Sequence, residues 1–134
     1  MTAMVDIGMK DELIASIAKE IAASPRLAPE WKSLSMVFTF EDDDLPSNFG
    51  YCYTGDGQGD WSAFSSTSDK LDDDVIRLRE VMKEESKAEW QQGLFQLLRD
   101  QREMKFEFAY DGNIRWKVTP GNLDQVVRDL RPRP

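Results

Sequence analysis

Histidine is absent from all 134 residues of the chain, and cysteine occurs once. Without imidazole, the side chain best suited to proton transfer near neutral pH is missing, and zinc sites that depend on it are excluded. The lone Cys52 can form no disulfide within the chain, which fits a reducing compartment, and no histidine is present to activate it as a nucleophile. Flanked by Tyr51 and Tyr53, it is expected to be a packing residue. No apolar run is long enough to cross a bilayer, and the N-terminus lacks the basic, apolar and small-residue segments of a signal peptide. The expected location is the cytosol.

Basic residues are also scarce where acidic ones abound. Residues 33 to 76 hold ten Asp or Glu against one Lys (Lys70), a net of −9, whereas the other ninety residues carry 15 acids and 16 bases. The acids are Glu41, Asp42, Asp43, Asp44, Asp56, Asp60, Asp69, Asp72, Asp73 and Asp74, set among Phe49, Tyr51, Tyr53, Trp61 and Phe64. Crowded like charges repel and destabilise a compact state, and they are kept for solubility, steering or binding. Solvated loop tips and helix caps are one use of such a block, and a surface for a basic partner is the other. The overall charge of −8 opposes direct binding to nucleic acid or to anionic lipid.

A chain of this size is expected to form one domain over residues 1–134, burying roughly two-thirds of its unfolded surface. With 40% hydrophobic residues, including four Trp, seven Phe and three Tyr, it can build a core without metal or disulfide.

The first 24 residues read as a helix with Ile7, Leu13, Ile14, Ile17 and Ile21 on one stripe, stopped by Pro25 and Pro29. From Lys32 the period becomes two: Leu34, Met36, Phe38 and Phe40 alternate with Ser33, Ser35, Val37 and Thr39, the pattern of a half-buried strand. A turn over Asp42 to Asn48 leads to a second strand with Phe49, Tyr51 and Tyr53 on one face and Cys52 on the other. A glycine-rich loop, Thr54 to Asp60, joins it to a short third strand, Trp61 to Ser65.

Ser66, Thr67, Ser68 and Asp69 offer N-caps to a second helix, with Asp72-Asp73-Asp74 in its first turn, where carboxylates favour the positive end of the dipole. Leu71, Val75, Leu78 and Met82 form its stripe, with Val81 at the edge, and the helix fades between Glu85 and Glu89. Residues 90 to 101 suit either a helix or the first arm of a hairpin. The alternating Met104 to Tyr110 strand needs a partner, which favours the hairpin. Ile114 to Val118 reads as a further short strand and Leu123 to Leu130 as a final helix. The order helix, three strands, helix, two or three strands, helix is α+β, with helices packed on an antiparallel sheet.

Motifs for chemistry are lacking. Neither triple-Asp run has the glycine and glutamate positions of an EF-hand loop, and Gly55-Asp56-Gly57-Gln58-Gly59 lacks the Lys and Ser/Thr of a phosphate-binding loop. No catalytic residue, metal ligand or cofactor is expected, and no enzyme activity.

Trp31 to Phe40, then Trp90, Leu94 and Phe95, then Lys105-Phe106-Glu107-Phe108-Ala109-Tyr110-Asp111-Gly112 and Arg115-Trp116-Lys117-Val118-Thr119-Pro120 resemble the YezG-like family of bacterial immunity proteins. That resemblance implies a cytosolic antitoxin, a monomer or weak dimer, that binds the C-terminal domain of a cognate secreted toxin. A nuclease toxin is cationic where it grips phosphate, so an acidic surface would complement it and speed encounter. The expected contact residues are Glu41, Asp42, Asp43, Asp44, Tyr53, Asp56, Asp60, Trp61, Phe64, Asp72 and Asp73, the aromatics acting as anchors if exposed. A type III secretion chaperone, a small acidic α+β protein holding an extended effector segment, is the competing expectation.

Overall fold

The computed structural model describes residues 2–40, 45–55, 60–99, 103–110 and 116–132, with side chains from Lys10 onward in the first helix and from Met104 onward in the last strand. Along the chain run α1 (Thr2–Ala22), β1 (Ser33–Thr39), β2 (Ser47–Tyr53), β3 (Trp61–Phe64), α2 (Asp69–Ser86), β4 (Gln92–Leu98), β5 (Glu103–Ala109) and α3 (Leu123–Leu130). The five strands form one antiparallel sheet in the order β3-β2-β1-β4-β5. This is the α+β arrangement that the patterning predicts, and residues 92–98 are the hairpin arm rather than a helix.

Period-two alternation sends the side chains of each strand to two different layers. Leu34, Met36, Phe38 and Phe40 join Cys52, Phe64, Trp90 and Phe95 on one face, under Ile17 and Ile21 of α1 and Leu71, Val75 and Leu78 of α2. The two helices run antiparallel over this face, tied by Lys10 to Glu85 at 2.9 Å, Ser16 to Asp74, and Ser68 to Glu20 at 3.0 Å. Val37, Tyr51, Tyr53 and Leu94 point the other way, beneath Val127 and Leu130 of the amphipathic α3. Burial of each large apolar side chain contributes roughly 1.5–3 kcal/mol, and Trp90, Phe38 and Phe95 are sealed from solvent.

Both α2 termini follow from sequence. Ser68 accepts a hydrogen bond from the Leu71 N–H at 3.2 Å, and the helix ends at Lys87, whose left-handed backbone (φ 63°) lets its N–H reach the Lys83 carbonyl at 2.8 Å. Val81 is buried and Met82 only partly so, the reverse of the predicted stripe edge. Asp69 and Asp72 occupy the first turn, with Asp73 and Asp74 just beyond it.

The structure corrects three other expectations. Strand β1 is buried along its whole length, not half-buried, because α3 covers the face that carries its serines and Thr39. β2 begins at Ser47, inside the segment expected to be a turn. Trp116 to Val118 form no strand; instead Gln92 holds Trp116 through its side chain, donating to the Trp116 carbonyl at 2.8 Å and accepting from its N–H at 2.8 Å. Ile114 and Arg115 lie outside the described residues, as does the side chain of Ile7.

Gly50 marks the tightest point of the sheet. It pairs with Met36 on one side and Phe64 on the other, and a Cβ built there would lie 2.5 Å from the Ser35 carbonyl oxygen and 3.0 Å from the Phe64 ring. The carbonyl belongs to the central ladder and cannot move aside. Gly50→Ala is therefore expected to cost about 1–3 kcal/mol, read as a lowered urea midpoint with an unchanged slope.

Candidate partner-binding surface

The predicted contact residues divide sharply by position. Tyr53 is buried, with its hydroxyl donating to the Val127 carbonyl at 2.7 Å and its ring beneath the Arg131 guanidinium at 4.5 Å. Burial pushes its phenol pKa up to about 12. Its role is to hold α3 to the sheet, which corrects its assignment as a contact anchor. Phe64 is likewise buried, in the layer under α1 and α2. Trp61 is half-buried, edge-on to Tyr51 with ring centroids 5.5 Å apart, and belongs to the opposite layer. The three aromatics therefore form no common patch.

The acids are more accessible. Asp60 is exposed at the start of β3, beside the Thr54 N–H that donates to its carbonyl at 2.9 Å. Asp69 and Asp73 are exposed and Asp72 half-buried at the start of α2, beyond the other end of β3. Among the described residues none of these three is ion-paired, whereas Asp74 accepts from Lys70 at 3.2 Å and from Ser16. Glu41, Asp42, Asp43, Asp44 and Asp56 lie outside the described residues. What the structure brings together is the trio Asp69, Asp72 and Asp73; Asp60 stands apart from it.

A concavity, not foreseen in the sequence, lies on the α3 side of β4 and β5. It encloses about 450 Å³ between Leu94, Leu98 and Trp116, with Lys105 and Glu107 on one rim and Asp129 and Arg131 on the other. Gln96 spans it, donating to the Leu130 carbonyl at 2.9 Å, and Arg131 is drawn to the Gly55 carbonyl at 2.6 Å. The sequence signal for it was the pair Gln92 and Gln96, polar residues at same-face positions of an otherwise apolar strand. Cys52 is fully buried with its Sγ 3.1 Å from the Ser62 hydroxyl, as expected of a packing residue.

Among the described residues no three Cys, Asp or Glu side chains gather to hold a metal ion, and no helix is long and apolar enough to cross a membrane. No protein-family model matches the chain, and no curated protein matches it.

Among the described residues, Asp72 is the one acid whose ionisation the fold opposes. Burial raises its pKa, and the charges of Asp69 and Asp73 raise it further, while its Oδ1 is enclosed without a hydrogen-bond partner. The folded chain holds this proton to higher pH than the unfolded chain does. Its contribution to stability is thus full at low pH and is lost as pH rises through the carboxylate range. Asp72→Asn is expected to gain stability relative to the wild type as pH rises from roughly 3 to 7, and parallel denaturation curves across that range would expose the difference.

Proposed function

We propose that this chain is an immunity protein: a cytoplasmic antitoxin that binds the C-terminal domain of a cognate toxin, a cationic nuclease, and blocks it. The observation that carries this reading is the charge asymmetry, a net −9 within residues 33–76 of a chain that is otherwise balanced. It is supported by the accessible carboxylates of Asp69 and Asp73, which form no ion pair among the described residues. The aromatic patterns resembling the YezG-like family point the same way. With Tyr53 and Phe64 committed to the two cores, acids rather than aromatic anchors are left to meet the partner on this flank. Recognition would then rest on long-range attraction that speeds encounter, with affinity gained from the surface that docks afterwards. Of the three aromatics expected as anchors, Tyr53 and Phe64 are buried and Trp61 keeps an exposed part to offer.

The concavity over Leu94 and Leu98 favours one other reading, a chaperone-like adaptor that accommodates an extended effector segment on an apolar floor. The two readings part in one experiment: co-expression of the chain with the toxin-like domain encoded beside it. Survival of the cells together with a stable 1:1 complex is the expected result. Absence of toxicity, with the chain instead holding an unfolded peptide, would replace the immunity reading with the adaptor.

Charge neutralisation tests the steering mechanism separately. Replacing Asp42, Asp43, Asp44, Asp56 and Asp60 together by Asn is expected to slow association with a basic toxin domain roughly tenfold or more at low salt and to flatten the salt dependence of the rate. Thermal stability should change little. An unchanged rate and salt response would assign these acids to solubility alone.

A further inference from the structure

Among the described residues, β5 is the outer strand of the sheet, pairing with β4 along one edge only. The Ala109 carbonyl accepts from the Gln91 N–H at 2.7 Å, which turns its backbone groups inward toward β4. Backbone groups alternate along a strand, so the N–H and C=O of Met104, Phe106 and Phe108 point outward, away from the sheet. The strand is regular over seven residues and carries no proline. By contrast, the opposite edge is the four-residue β3, and short edges are one of the ways proteins avoid edge-to-edge pairing.

The side chains on this edge match a second copy of themselves. An antiparallel pairing of β5 with β5 about a two-fold axis at Phe106 sets Phe106 against Phe106, Met104 against Phe108, and Lys105 against Glu107, each of the last two pairs occurring twice. Met104, Phe106 and Phe108, whose backbone groups face outward, would form the hydrogen-bonded pairs. Lys105 and Glu107 would then face each other at the non-hydrogen-bonded sites, where side chains approach most closely. Both are free enough to do so: their side chains are 68% and 45% exposed, and they touch each other within one strand at 3.7 Å. On the α1–α2 side, Phe106 and Phe108 stack 4.7 Å apart and are only partly buried, and Met104 is 43% exposed. A facing copy would cover this apolar strip.

We infer that β5 is a self-association edge, through which two copies join their sheets antiparallel in the register centred on Phe106. The occupant is a second copy because opposite charges meet in both Lys105–Glu107 pairs and apolar residues meet at Phe106–Phe106 and in both Met104–Phe108 pairs, which are the pairs at the centre of the strand. The contact is confined to one strand and its flanking side chains, so the dimer forms and dissociates with concentration rather than being obligate. This inference is independent of what the acidic surface binds.

Charge reversal provides the test, because Lys105 and Glu107 are solvent-facing and their exchange leaves the fold intact. Sedimentation equilibrium of the wild-type chain is expected to show a monomer–dimer equilibrium. Lys105→Glu places acid against acid and Glu107→Lys places base against base, so each variant alone should dimerise roughly tenfold more weakly. Mixed together, the two variants should regain association as a heterodimer, since every facing pair is again opposite in charge. A Lys105→Glu/Glu107→Lys double variant should dimerise like the wild type. A wild-type chain that stays monomeric at every concentration reached, or a dimer indifferent to these reversals, would overturn the inference.

Discussion

Strand β1 is hydrogen-bonded along both edges and covered on both faces, and the other elements are arranged to make that burial possible. A strand in this position cannot leave polar groups unpaired without a cost of about 1–3 kcal/mol for each. Thr39 is satisfied by Gln92, whose amide donates to its hydroxyl at 3.0 Å while also gripping both backbone groups of Trp116. A single glutamine thus fixes the central strand, its neighbour β4 and the segment that leads into α3. Tyr53 does similar work at the opposite end of the sheet, joining β2 to α3 through the Val127 carbonyl. The short α3 depends on these polar ties as much as on Val127 and Leu130, since an isolated helix of its length is marginal in water.

Much of this architecture was legible from periodicity. The stripe Leu71, Val75, Leu78 specified α2, Ser68 marked its start, and the bounds of α3 were readable from the turn before it and the prolines after it. What periodicity could not convey was the second cover. Ser33, Ser35 and Thr39 alternate with large apolar residues in the manner of a solvated face, and only the tertiary placement of α3 buries them. The same limit misplaced Trp116 to Val118: the residues alternate like a strand, but a side-chain clamp, not a ladder, holds them.

The contact surface was less legible, and for a specific reason. Aromatic residues near acidic ones were read as a patch, but adjacency in sequence is not adjacency on a face. Trp61 and Phe64 stand three residues apart in one strand, an odd spacing that sends them to opposite layers, and Tyr53 faces Trp61 across the ladder rather than solvent. Strand parity alone could have separated Trp61 from Phe64; the burial of Tyr53 required α3. The concavity over Leu94 and Leu98 could be found only with the sheet order in hand, because it is formed where β4, β5 and the end of α3 converge.

The single thiol gives the molecule a built-in chemical clock. Cys52 lies in the second strand with no surface open to solvent and its sulfur against Ser62 on the neighbouring strand. An alkylating reagent therefore reaches it only when the layer under α1 and α2 opens around it, and with no other cysteine in the chain the modification rate counts those openings. Docking of any partner over that side of the sheet would slow the count. Occupancy of the acidic flank could thus be followed in dilute solution without a fluorophore or an enzymatic readout.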